Sequence, residues 1–168
     1  MADYYSPTTV EPFIPTDVLS PADSLILEAL FQWEPAADST NYYFAEEGMR
    51  TEIDLQIATV HAVLGSSPDC FATQLLAEAL SDVDPEEDTI LTIALDGRWE
   101  LILQDIVRRS PALDHLVVTT AFTCTRMRPG AFGGAAVFIT GDAVESISTH
   151  EFVEEARAKL HTIGGSHG

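Results

Sequence analysis

LVVTTAFTCT, residues 116–125, is the stretch of this sequence that decides the fold class. Its larger side chains fall on alternate positions and most of the positions between them hold Thr or Ala, which predicts a strand with one face on a core. The stretch AAVFIT, residues 135–140, follows as its hairpin partner. Other strands and helices lack a regular βαβ order. We therefore predict an α+β fold, with a largely antiparallel sheet packed against helices in a single compact domain.

Capping residues mark where helices begin. Ser20 is followed by a proline and, at the third position, an aspartate, which predicts a helix capped by Ser20. Ser67-Pro68-Asp69 repeats this chemistry and predicts a second start. Ser148 and Glu151 match a capping box for the last helix. The apolar side of that helix carries Phe152, Val153, Ala156 and Leu160.

Residues 53–64 fit two patterns. Ile53, Leu55 and Ile57 alternate as in a strand, whereas Ile53, Ile57 and Leu64 fit one side of a helix that closes at Gly65. Because Gly48 provides a hairpin turn just upstream, the strand is the favoured interpretation.

The ends of the chain are expected to differ from its body. Residues 1–19 contain three prolines among polar residues and show no apolar period, which predicts an extended N-terminal arm. Residues 20–163 are expected to form the single α+β domain. The Gly-rich residues 164–168 are expected to form a flexible tail.

The composition narrows the functional classes. The chain has 168 residues, with 27 acidic against 8 basic side chains and a net charge of −19. We expect neither direct binding to nucleic acid nor binding to an anionic membrane, because both need a basic surface. The first basic residue is Arg50, which argues against a secretory or Arg-rich transit segment. Cys70 and Cys124 form no CxxC pair, so we expect a cytoplasmic protein with reduced thiols.

A Gly-rich connection between the two predicted hairpin strands holds two arginines. Backbone N–H groups and forked guanidinium groups can together bind a carboxylate or phosphate. The structural alternative is a loop whose arginines pair with the protein's own carboxylates, and it is the favoured one because acids are in such excess. The candidate anion-binding residues are Arg126, Arg128, Gly130, Gly133 and Gly134.

An acidic segment lies between a predicted helix and a predicted strand. It begins like a calcium loop but has Glu87 where the loop needs Gly and Ile93 where it needs Glu, so an EF-hand is excluded. A solvated connection is the favoured interpretation, and no metal site is expected. The candidate partner-binding residues are Asp82, Asp84, Glu86, Glu87 and Asp88.

No HExxH, Walker or GxGxxG motif is present. We predict a non-enzymatic interaction or regulatory protein that binds a basic partner, as an inhibitor or antitoxin-like protein does, without a cofactor. The alternative is a small-molecule anion-binding protein or enzyme that uses the Arg126/Arg128 loop. A homodimer is also predicted, because the strand at 116–125 belongs to a sheet whose edge symmetric pairing can cover.

Overall fold

The computed structural model describes residues 3–84, 88–128 and 130–164, with side chains up to residue 160. Within these ranges it has five α-helices and nine strands. The helices are α1 (Pro21–Leu30), α2 (Ile57–Leu64), α3 (Phe71–Ser81), α4 (Trp99–Arg109) and α5 (Thr149–Gly164). The strands are β1 (Tyr4–Tyr5), β2 (Thr8–Pro15), β3 (Gln32–Pro35), β4 (Thr40–Ala45), β5 (Glu52–Gln56), β6 (Ile90–Ala94), β7 (His115–Cys124), β8 (Gly133–Thr140) and β9 (Val144–Ser148).

Seven of the strands form one antiparallel sheet in the order β3-β4-β2-β7-β8-β9, and β1 continues β2 along β7. A separate two-stranded sheet pairs β5 with β6. One face of the large sheet packs against helices through a row of buried side chains that includes Val10, Tyr43 and Leu116. The predicted α+β class, with a largely antiparallel sheet in a single compact domain, is confirmed.

Residues 3–15 differ from the expected arm. They form β1 and β2, and β2 lies between β4 and β7, where Val10 and Ile14 are each only 1% exposed. The expectation that this segment lies outside the core is wrong for the described residues. The register shifts between Val10 and Ile14, and Pro12 sits within that interruption, where its missing N–H is tolerated. Thr8 is also buried in β2. Because threonine is polar, the buried positions of this strand do not appear in the sequence as an alternation of apolar residues.

Residues 53–64 contain both predicted patterns in succession. β5 ends at Gln56 and α2 begins at Ile57, so the alternation and the helical spacing are each correct for half of the segment. The favoured strand is therefore confirmed only for the first half.

Two of the three predicted helix starts are confirmed. Ser20 and Asp23 form a capping box at α1, with N–H to oxygen distances of 3.1 Å and 2.8 Å. Ser148 and Glu151 form the equivalent contacts before α5. The start predicted at residues 67–69 is wrong, because α3 begins at Phe71. Ser67 instead accepts a hydrogen bond from the Ala22 backbone N–H and supports α1.

The last helix is formed as predicted, but its apolar side does not pack on the body. Every described side chain of α5, from Thr149 to Leu160, is exposed. In the part of the chain that the structure describes, no helix combines the length and hydropathy needed to cross a membrane. Of the predicted tail, residues 165–168 lie outside the described ranges.

Candidate functional site

The predicted arginine loop connects β7 to β8, and its two arginines are solvent-exposed. Neither Arg126 nor Arg128 forms a side-chain hydrogen bond or an ion pair with the described residues. Internal pairing, which the acidic composition favoured, is therefore not seen in this part of the structure. Gly130 has φ of 73°, which suits a glycine, and the Ala131 N–H donates to the Arg128 carbonyl at 3.2 Å.

The structure places Gly133 and Gly134 in β8 instead of the loop. The Gly134 N–H donates to the Thr149 hydroxyl at 3.2 Å, so it is not free to bind an anion. A Cβ on Gly133 would lie 2.5 Å from that same hydroxyl oxygen. These glycines thus allow the start of α5 to approach β8, and the candidate anion site is reduced to Arg126, Arg128 and Gly130.

The acidic segment follows α3 and is closed by contacts of its own. The Asp84 N–H donates to the Asp88 carboxylate at 3.3 Å, and the Asp88 N–H donates to the Asp84 carbonyl at 3.0 Å. Asp82 follows the end of α3 and is exposed. Glu86 and Glu87 lie outside the described residues. Over the described ranges, no three His, Cys, Asp or Glu side chains converge as metal ligands.

A cleft of about 590 Å³ lies between the C-terminal end of α1 and the open end of the β3–β4 hairpin. The buried side chains of Leu30, Phe31 and Ala45 contribute to its apolar lining. The lining belongs to α1, β3 and the turn after β4, within two stretches of sequence at residues 28–33 and 45–50, and we call the whole the acidic cleft. Its charged and aromatic lining residues are Glu28, Trp33, Glu46, Glu47 and Arg50.

The acidic cleft is suited to a cation. Its three carboxylates form no ion pair with any described residue, and Trp33 is 41% exposed. Arg50 is occupied in part, because its Nη1 donates to the Ala29 carbonyl at 3.4 Å. The C-terminal end of α1 adds the negative pole of a helix dipole. Carboxylates beside an exposed indole face are the groups that bind an ammonium or guanidinium.

Local hydrogen bonds hold this lining in place. The Glu46 N–H donates to Gln32 Oε1 at 3.0 Å, which ties the turn to β3. The Ser6 N–H donates to the Glu47 carbonyl at 3.3 Å. Gly48 has φ of 124°, a conformation that other residues rarely adopt. The carboxylates of Glu46 and Glu47 are therefore presented from a fixed backbone.

A buried polar cluster joins the starts of α1 and α3 to the end of α4. Asp23 is fully buried, and its Oδ2 accepts from Arg109 Nη2 at 2.7 Å. Arg109 also donates to Asp105 at 2.9 Å, and Asp105 accepts from the Phe71 N–H at 3.2 Å. Burial alone would lower the pKa of Arg109, but the two carboxylates outweigh it and the pKa is raised. Asp23 Oδ1 is buried without a hydrogen-bond partner among the described residues, but the other contacts join three helix ends, so the cluster has a structural role.

Glu100, in the first turn of α4, is a second partly buried acid. Its Oε2 is buried and has no hydrogen-bond partner among the described residues. Burial raises the pKa of Glu100, and the nearby Asp96 raises it further, against the lowering effect of its own backbone N–H. The negative charge of Glu100 is therefore unfavourable in the folded protein.

The two cysteines are free and buried. Cys70 contacts the Ser20 hydroxyl at 3.5 Å and the Thr73 hydroxyl at 3.6 Å, and it caps α3. Over the described residues neither thiol is hydrogen-bonded to a histidine, which is the contact that activates a Cys–His nucleophile. Cys70 therefore acts here as a capping residue in the core.

Comparison with protein-family models, curated proteins and solved structures finds no match for this chain.

Proposed function

We propose that this chain is a non-enzymatic interaction protein that binds a basic partner through the acidic cleft. The observation that carries the proposal is the cleft itself, which is lined by a half-exposed tryptophan, Arg50, and three carboxylates without an ion-pair partner in the described part of the chain. A lysine or arginine side chain of the partner enters the cleft and is held by Glu28, Glu46 and Glu47. Trp33 contacts its cationic group from one side.

The charge of the whole chain supports the same conclusion. Residues 1–100 carry 20 acidic and 2 basic side chains, a sum of −18, and the acidic cleft lies in that segment. A field of one sign accelerates the encounter with a partner of the opposite sign. Self-association as a homodimer is part of the proposal, since two clefts on one particle strengthen binding to a multivalent partner. The free thiols are those expected of a cytoplasmic protein.

The test is titration of the protein with a short oligo-arginine peptide, followed by calorimetry at low salt. We expect the Glu46→Gln/Glu47→Gln variant to weaken binding at least fivefold, because two of the three carboxylates lose their charge. Trp33→Leu is expected to weaken it about two- to fivefold, the size of an exposed cation–π contact. Both variants alter exposed side chains and should leave the fold intact.

The matched control is Asp82→Asn/Asp88→Asn, which also removes two negative charges but from the segment after α3. Less than a twofold loss there supports the cleft. Equal losses in the two double variants would show that only net charge matters, and a larger loss in the control would place the site at Asp82 and Asp88. Either result contradicts the role proposed for the cleft.

A second candidate, an anion-binding protein, is favoured by the exposed and unpaired state of Arg126 and Arg128 within the described residues. Titration with inorganic phosphate, followed by amide NMR shifts, tests it. Saturable shifts confined to residues 125–131, lost in Arg126→Ala/Arg128→Ala, would support this candidate. Shifts that do not saturate would exclude it.

A further inference from the structure

Exposed apolar side chains are concentrated near the C-terminal end of the described chain. Of 15 large hydrophobic residues exposed in the described structure, nine lie between residues 122 and 160. They come from the β7–β8 connection and its flanks, from β8 and β9, and from α5. The strand register puts Phe122 and Val144 on the sheet face that holds the buried Leu116 and Ile139, and Phe138 and Ile147 on the opposite face. We call the exposed apolar residues of β9 and α5, which border the open edge of the sheet, the C-terminal apolar surface; it comprises Val144, Ile147, Phe152, Val153 and Leu160.

The helix α5 carries an exposed apolar stripe. Phe152 is 61% exposed and Leu160 is 70% exposed, and they lie two turns apart on the same side. The start of α5 is well fixed, because Ser148 and Glu151 cap it and Thr149 accepts from the Gly134 N–H. Helices derive most of their stability from packing an apolar side. The capped helix α5 therefore has no packing partner for this stripe among the described residues.

The strand β9 offers an open edge beside that helix. Among the described strands it pairs with β8 alone, and four of its five residues are exposed. The opposite edge, β3, is protected because its four residues include Glu34 and end at Pro35. β9 contains no proline and no lysine, and its single charge is Glu145. β7 itself is internal, so the edge of its sheet that symmetric pairing can cover is β9.

The distribution of charge along the chain decides whether a second copy or a basic partner docks on the C-terminal apolar surface. Residues 122–160 hold 4 basic and 5 acidic side chains, a sum of −1, while the rest of the chain holds 4 and 22, a sum of −18. Electrostatic repulsion between two copies is therefore weakest when residues 122–160 of one copy face residues 122–160 of the other. A basic partner is attracted most strongly to the acidic cleft, which lies outside this segment. A nearly neutral apolar surface is complementary to a copy of itself.

The total surface agrees with an unfilled interface. The chain exposes 10334 Å², whereas area scaling for 18.2 kDa gives about 8,100 Å². The exposed helix α5 contributes to this excess, and its surface is available for a partner to cover.

We propose that a second copy of this chain docks on the C-terminal apolar surface, with the two β9 strands paired antiparallel about a twofold axis at Ser146. This inference rests on the proposed homodimer and assigns its surface. In that register Glu145 lies opposite Ile147 of the partner subunit, so no like charges face each other. The large sheet continues across the axis, and the apolar stripe of α5 packs against the other protomer.

Sedimentation equilibrium between 1 and 100 µM tests the proposal. We expect the wild type to reach about 36 kDa, twice the chain mass of 18.2 kDa. Phe152→Glu/Leu160→Glu should remain at the monomer mass with an unchanged circular dichroism spectrum. The matched control is Phe13→Glu, which charges another exposed phenylalanine on the same sheet but away from this surface, and it should remain dimeric.

Cysteine cross-linking tests the register independently. Ser146→Cys should form a disulfide-linked dimer on mild oxidation, because residues at the axis lie within bonding distance across an antiparallel pair. Glu34→Cys, on the other edge strand, should not. A wild type that stays monomeric at 100 µM would overturn both the homodimer and this surface. A dimer that survives Phe152→Glu/Leu160→Glu, or that cross-links through Glu34→Cys, would overturn the surface alone. Peptide binding by the acidic cleft is measured separately, so neither result bears on it.

Discussion

Replacing Asp23 by asparagine removes one charge from the buried cluster that joins α1, α3 and α4. The Asp23 side chain is 0% exposed and accepts from Arg109 at 2.7 Å and from the Ser20 N–H at 2.8 Å. Removing one partner of a buried ion pair costs about 3–5 kcal/mol, because the other charge stays behind without compensation. Arg109 is 27% exposed and keeps Asp105 at 2.9 Å, so its remaining charge is partly compensated. We therefore expect Asp23→Asn to cost about 3 kcal/mol, at the lower end of this range.

Urea denaturation followed by circular dichroism measures this loss at neutral pH. Arg109→Ala should cost more, about 5 kcal/mol, because it leaves the fully buried carboxylate without its cation. The double variant should cost less than the two single losses added together, since the two residues interact directly. Arg157→Ala is the control; it breaks an ion pair with Glu154 that is exposed at both ends and should cost about 0.5 kcal/mol or less. A loss below about 1 kcal/mol for Asp23→Asn would refute the structural role given to the cluster.

Two further predictions concern β2 and α4. Ile14→Ala should lower the free energy of unfolding by about 2–4 kcal/mol, because the side chain is buried in the core. Phe13→Ala, at the exposed neighbouring position, should lower it by less than about 1 kcal/mol. Equal small losses for the two variants in urea denaturation would contradict the placement of β2. Burial raises the pKa of Glu100, so the folded protein holds this proton more tightly than the unfolded chain and loses stability as the pH rises from the ordinary Glu range to the raised pKa. Glu100→Gln should therefore be more stable than the wild type at pH 7, by about 0.5 kcal/mol after solvent screening, with no difference near pH 3. A wild type that is more stable than the variant at pH 7 would contradict this.

Elements with a complete local pattern could be predicted from the sequence, and elements that depend on distant partners could not. The strand β7 and the helix α4 follow from their own side-chain periods. For β2 the inward positions include Thr8, and the register shift hides the rest, so only the pairing with β4 and β7 reveals the strand. Phe122 continues the alternation of β7 yet is exposed, because the sheet extends beyond the helices that cover its centre.

The acidic cleft was missed for a related reason. Glu28 lies on a helix, Trp33 on a strand and Glu46 in a turn, and nothing in their sequence spacing indicates that they meet. In the sequence, the pair Glu46-Glu47 before Gly48 indicates only a turn. Conversely, the acidic run near Asp84 is conspicuous in the sequence, but its described backbone is closed by its own hydrogen bonds. Local charge density is thus a poor guide to a site assembled from a helix, a strand and a turn.

The position of β2 in the middle of the large sheet has a consequence for synthesis on the ribosome. The hydroxyl groups of Thr8 and Thr120, 112 residues apart in sequence, lie 3.0 Å from each other. β2 can pair with β4 early, but its other edge has no partner until the ribosome has released β7. Pairings this distant are slow to form and leave strand edges exposed while they wait. Nascent chains that stall before residue 116 should therefore be bound by chaperones, and those that stall beyond residue 125 by enough to clear the exit tunnel should be released.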